Sequence, residues 1–65
     1  MNEIEVYLIF REGEGYYTGK LRIFSFDNQP KIFTKLHAAK ASIRVMNFKN
    51  VTIQKYQLSY LGEVR

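Results

Sequence analysis

The sequence predicts an α+β domain, in which one helix packs on one face of a three-stranded antiparallel sheet. Three observations support this. Residues 3–11 alternate between two faces, the residues from Lys35 to Met46 have helical spacing, and the chain becomes extended again afterwards. With 65 residues, the chain is expected to form a single domain, 1–65. Hydrophobic residues make up 46% of it and aromatic residues 15%, which is enough to fill a small core.

The first two strands are predicted to form a hairpin. Period-two spacing in the first strand places four apolar residues on one face: Ile4, Val6, Leu8 and Phe10. Residues 12–15 (Glu-Gly-Glu-Gly) supply a turn, because glycine reaches positive φ without steric cost. Residues 16–26 read as one second strand, with Gly19 as a bulge or bend.

The helix is predicted over Lys35 to Met46, with Thr34 as its N-cap. Residues 27–30 end the second strand, and residues 31–33 form either a short turn or an extended bridge. Asn47 is suited to the C-terminal stop, after which Phe48 folds back onto the helix end. One apolar stripe follows the helix: Leu36, Ala39, Ile43 and Met46.

Residues 51–61 are predicted to form the third strand. The parity of its apolar residues changes along the strand, which indicates a bulge near Gln54-Lys55 or two shorter strands. A twelve-residue helix spans about 18 Å and returns the chain beside the first strand, so the predicted sheet order is 2-1-3. We expect the core to join the helix stripe to four strand residues: Ile4, Val6, Leu8 and Ile23.

The net charge of +4 is unevenly distributed. Residues 1–15 hold four glutamates and one arginine, whereas residues 16–62 hold eight basic residues and one aspartate. A basic second half can attract nucleic acid or an acidic protein, or it can simply be a solvated surface. With no cysteine, the chain has neither disulfides nor thiolate metal ligands.

The location of the chain is predicted to be the cytoplasm, without a membrane partner. The longest apolar run, residues 6–10, is far shorter than the roughly 20 residues of a membrane span. The N-terminus carries Glu3 and Glu5 and does not read as a signal peptide.

Three segments resemble small bacteriophage and prophage proteins of unknown function. They are residues 15–19 (Gly-Tyr-Tyr-Thr-Gly), Phe33-Thr34 before a helix that carries Ala38, Ala39 and Ala41, and residues 50–53 (Asn-Val-Thr-Ile). The resemblance covers roughly residues 15–58. It implies a phage or mobile-element origin and a bacterial host cytoplasm, and it implies no activity.

The residue inventory predicts no enzyme, no cofactor, no metal site and no small-molecule substrate. His37 is the only histidine, and its helix position brings no carboxylate or second ligand beside it. Glu12 and Glu14 flank glycine in a turn, where acids usually serve solubility.

Two candidate binding surfaces remain, one on the helix and one on the sheet. The helix surface consists of Lys35, His37, Lys40 and Arg44, and the sheet surface consists of Tyr7, Tyr17, Lys20, Arg22, Tyr56 and Tyr60. The expected function is non-catalytic binding by a phage-type accessory protein, to an unidentified protein or to itself. The alternative is nucleic-acid binding. Basic groups that converge with exposed tyrosines would favour nucleic acid, and an uncharged apolar patch would favour protein.

Overall fold

The computed structural model describes residues 3–59, which form four strands and one helix. In chain order the elements are β1 (Glu3–Arg11), β2 (Gly15–Tyr17), β3 (Phe24–Ser25), α1 (Leu36–Met46) and β4 (Thr52–Ser59). The sheet order is β3-β2-β1-β4, and every neighbouring pair is antiparallel. The α+β class is confirmed, and so is the last strand's place beside the first. The prediction of three strands is wrong, because the sheet has four.

The additional strand arises because a turn divides the predicted second strand. The N–H and hydroxyl of Thr18 both donate to the Ile23 carbonyl, at 3.0 and 2.9 Å. The Ile23 N–H donates to the Lys20 carbonyl at 3.0 Å. Gly19 lies inside this turn with φ +83°, and Leu21 also has positive φ. Gly19 therefore serves a chain reversal and not a bulge within one strand.

The β1–β4 ladder runs without a break. Its register extends from Glu3 opposite Ser59 to Phe10 opposite Thr52, one residue against one throughout. The predicted bulge near Gln54-Lys55 is therefore wrong. The parity change arises because β4 is apolar on both faces: Ile53 packs against the core below the helix, whereas Tyr56 and Leu58 pair with residues of the opposite face.

The two ends of the helix compare differently with the prediction. Lys35, not Thr34, takes the N-cap position, with φ −133°, ψ 135° and no capping hydrogen bond from its side chain. At the other end Asn47 adopts the left-handed conformation, with φ 58° and ψ 42°, as predicted. The Phe48 N–H then donates to the Ile43 carbonyl at 3.1 Å, and the Phe48 ring is buried. The predicted fold-back of Phe48 is confirmed.

The core is centred on Ile9, which is fully buried. Four other buried residues surround it, from four separate segments: Tyr17, Phe33, Ala39 and Phe48. Phe33 reaches this position through an extended bridge to Tyr7, formed by backbone hydrogen bonds of 2.7 and 3.0 Å. The Ile9 face of β1 is thus the one that the helix covers.

This orientation corrects the expected core. Ala39 and Ile43 of the helix stripe do pack inward, but Ile4, Ile23 and Leu36 are exposed. The predicted covered face of β1 is the one turned away from the helix. The Ile9 face tolerates its charged residues because they lie beyond the core. The Arg11 guanidinium stacks 4.3 Å from the Phe24 ring centroid and donates to the Lys49 carbonyl at 3.1 Å.

Candidate functional site

The sheet surface opposite the helix is the candidate site, and we call it the open face. Directly opposed residues of antiparallel strands share a face, so the register identifies its members. Phe26, which follows β3, joins them by packing its ring 6.2 Å from that of Phe10. The open face comprises Ile4, Val6, Leu8, Phe10, Tyr16, Phe26, Thr52, Gln54, Tyr56 and Leu58. Within residues 3–59, no helix or strand lies over it.

Among residues 3–59, the open face carries no charged residue, although the chain has ten basic and six acidic residues. Its apolar side chains are widely accessible: Ile4 is 51% exposed, Leu58 50% and Phe26 62%. Soluble monomers rarely expose a contiguous apolar patch of more than a few hundred Å² without a binding role. An uncharged apolar surface of this kind is typical of the centre of a protein interface.

The aromatic residues at one end of the open face pack against each other. The ring centroids of Phe10 and Tyr16 lie 5.1 Å apart, and Phe26 approaches Phe10 edge-on. Near the other end Val6, opposite Tyr56, is buried, while Ile4 and Leu58 remain open. The open face is therefore a packed layer of side chains with its outer surface accessible.

Three polar side chains on the open face satisfy each other. The Tyr16 and Tyr56 hydroxyls lie 3.1 and 2.8 Å from Gln54 Oε1 and 3.0 Å from each other, so their two protons are shared among three contacts. The hydrogen bond with Tyr16 raises the pKa of the Tyr56 phenol, and partial desolvation acts in the same direction. A partner can cover these oxygens without leaving them unpaired, which removes a main cost of burying polar groups.

Five of the six residues of the predicted sheet surface lie within residues 3–59, and these five do not come together. Of them, only Tyr56 lies on the open face. Tyr7 and Tyr17 belong to the helix side, where Tyr17 is buried in the core. Lys20 and Arg22 lie in the turn between β2 and β3, and Tyr60 lies outside the described residues.

The apolar row of β1 was expected in the core and not on an accessible surface. The alternation of Ile4, Val6, Leu8 and Phe10 did identify them as one face. Nothing in that alternation tells which of two apolar faces a single helix will cover.

The predicted helix surface is exposed as a group. Lys35, His37, Lys40 and Arg44 are all solvent-accessible, and none forms an ion pair with another described residue. They lie on the helix layer, across the sheet from the open-face tyrosines. No cluster of three acidic or histidine side chains suited to a metal occurs among residues 3–59.

Comparisons with models of known protein families, with curated proteins and with solved structures found no match to this chain. The resemblance to phage and prophage proteins therefore stays a prediction. Among the described residues, no helix has the length and apolar character needed to cross a membrane. The accessible, uncharged open face is the feature of the described residues that bears most directly on function.

Proposed function

We propose that this chain is a non-catalytic binding module that packs its open face against a protein. The observation that carries the proposal is the absence of charge, among the described residues, from an accessible apolar surface built from β1, β2, β4 and Phe26. Interface centres are depleted in charged residues and enriched in aromatic ones, and the open face has both properties. The Tyr16 and Tyr56 hydroxyls and Gln54 Oε1 also pair within the face.

Nucleic-acid binding fits the open face less well. A single-strand binder combines stacking aromatics with cations that neutralise the neighbouring phosphates. Lys55 lies on the helix side, where it pairs with Glu5 at 3.5 Å, so it cannot serve Tyr56 in this way. Lys40 and Arg44 project from the helix layer. The cations and the accessible tyrosines thus belong to different surfaces.

The remaining parts of the proposal rest on the sequence. The non-catalytic role follows from the inventory of titratable residues, among which the His37 imidazole forms no hydrogen bond with another described residue. A phage or prophage origin and a place in the bacterial cytoplasm are proposed from the resemblance described above.

A matched pair of variants tests the proposal. Leu58→Lys places a charge on the open face, whereas Val45→Lys places the same charge on the helix, where Val45 is 80% exposed. Tagged chains are incubated with bacterial lysate, with and without nuclease. We expect the parent and Val45→Lys to capture a protein that stays bound after nuclease treatment. Leu58→Lys should not capture it. Circular dichroism checks that both variants fold.

Binding to oligonucleotides provides the opposing outcome. Single- and double-stranded oligonucleotides are titrated at about 50 mM salt, where phosphate contacts are strong. Each phosphate contact contributes about 0.7 to 0.9 to the slope of log affinity against log salt concentration. If the Lys40→Ala/Arg44→Ala variant reduces this slope, the helix surface is the functional surface instead. No oligonucleotide binding, together with nuclease-resistant capture, supports the open face.

A further inference from the structure

We infer that the protein covering the open face is a second copy of this chain, in a symmetric dimer whose two sheets pack face to face. The inference rests on the proposed function, because it assigns an occupant to the same surface. Three properties of the open face support this occupant: its charge, its shape and its area.

The charge distribution allows two identical copies to meet. Each chain has a net charge of +4, so two copies repel unless the surfaces in contact are neutral. The open face contributes no charge to the contact. In a face-to-face dimer the helix cations Lys40 and Arg44 of both copies point outward, with two sheet layers between them. Sheets stack about 10 Å apart, and physiological salt screens exposed charges beyond about 8 Å.

The shape of the open face is suited to a twofold contact. Eight consecutive residue pairs join β1 to β4 without a bulge, which gives a regular ribbon about 27 Å long. Aligned sheet packing brings two such surfaces together at about −30°, with interdigitated side chains. In a symmetric dimer each patch contacts its own copy, so one continuous apolar row can serve both sides.

The area predicts a weak dimer. The four most accessible large side chains, Ile4, Phe26, Tyr56 and Leu58, are 40–62% exposed. Since large side chains each carry about 150–250 Å², they contribute roughly 400 Å² per copy. The half-buried residues between them bring the accessible area of the face to roughly 600 Å² per copy. Specific interfaces typically bury about 800 Å² per partner, so this area is at the lower end of their range. We therefore expect a dissociation constant in the micromolar range.

Burial of the two tyrosine hydroxyls does not oppose the dimer. The Tyr16 and Tyr56 hydroxyls already have partners within one copy. Covering these hydroxyls therefore removes few hydrogen bonds to water, while the tyrosine rings gain contacts with the second copy.

Analytical ultracentrifugation across the micromolar range tests the inference on the full chain. We expect the parent and Val45→Lys to shift from 7.7 kDa to twice that mass as concentration rises. Leu58→Lys should remain monomeric, because a twofold contact buries its charge in both copies. Ile4→Lys, which alters the residue opposite Leu58, provides a second variant in case the first fails to fold.

The outcomes separate the two proposals. A parent that stays monomeric at several hundred micromolar overturns the dimer, while nuclease-resistant capture by the open face can still hold. A dimer that Leu58→Lys and Ile4→Lys leave as tight as the parent also overturns the inference, and it moves the contact to an unpaired strand edge such as that of β4. If both variants lose the dimer but still capture the protein from the lysate, the dimer stands, and the lysate protein binds a surface other than the open face.

Discussion

The hydroxyl oxygens of Tyr16 and Tyr56 lie 3.0 Å apart, although the two residues are 40 positions apart in the sequence. Their strands are not neighbours, since β2 and β4 lie on either side of β1. The contact therefore crosses the central strand over the open face, and Gln54 Oε1 lies within hydrogen-bond distance of both hydroxyls. This network links the hairpin at the start of the chain to its last strand.

The network predicts a measurable difference between tyrosines. The hydrogen bond between Tyr56 and Tyr16 raises the pKa of Tyr56, so Tyr16→Phe should lower that pKa towards the ordinary tyrosine value. Because the folded state holds the proton more tightly, the associated stability is present below the ordinary pKa. It is lost as the pH rises through the raised pKa. Phenolate absorbance during an alkaline titration measures the shift.

Tyr7→Phe is the control for this titration. Tyr7 lies on the helix side, and its hydroxyl donates to Glu5 at 3.4 Å. Removing that hydroxyl should leave the Tyr56 pKa unchanged. Equal effects of the two variants would contradict a specific Tyr16–Tyr56 bond.

Gly15 is predicted to tolerate no side chain. It has φ +103°, and a Cβ atom there would lie 2.4 Å from the Ser25 carbonyl carbon, which belongs to the β3 backbone. Gly15→Ala must therefore push β3 from β2, in addition to the left-handed strain, and we expect a cost of roughly 2–4 kcal/mol. Chemical denaturation measures it.

Gly13, in the turn just before β2, provides the matched comparison. It also has positive φ, but a Cβ there would meet nothing within 4 Å. Gly13→Ala should cost only the conformational strain, about 1 kcal/mol. Similar costs at Gly13 and Gly15 would mean that β3 does not approach Gly15 this closely.

A capping residue at the N-terminus of α1 is predicted to increase the stability of the fold. Lys35 occupies the N-cap position without a capping hydrogen bond, and the first turn has no acidic residue. Lys35→Asp should supply both an acceptor for the exposed N–H groups and a favourable charge, and it should stabilise the fold by about 1 kcal/mol. Lys35→Ala removes the positive charge alone and should give a smaller gain in melting temperature. A lower melting temperature for Lys35→Asp would place the helix start elsewhere.

Local patterns in the sequence were sufficient for several elements. Alternation identified β1, helical spacing identified α1, and the tolerance of asparagine for left-handed backbone located the helix end at Asn47. These features depend on residues close together in the chain. The turn at residues 18–23 escaped because it places Leu21 at positive φ, which leucine rarely adopts.

The orientation of β1 could not be obtained from local pattern. Both of its faces carry apolar residues near the middle, so alternation alone favours the fully apolar face as the core. The choice depends on distant aromatic residues, since Tyr17, Phe33 and Phe48 all converge on Ile9. The same reversal converts the expected core row of β1 into the accessible site. That the four apolar residues of β1 share one face was thus predictable, whereas the exposure of that face was not.

Two isoleucines on opposite faces of β1 test this orientation directly. Ile9 is 0% exposed at the centre of the core, whereas Ile4 is 51% exposed on the open face. Ile9→Ala leaves a cavity among packed rings and should cost about 2–5 kcal/mol, a large part of the stability of so small a domain. Ile4→Ala should cost about 1 kcal/mol or less, because much of its side chain is already in water. Urea denaturation of the two variants gives the comparison, and a larger loss for Ile4→Ala would mean that the helix covers the other face.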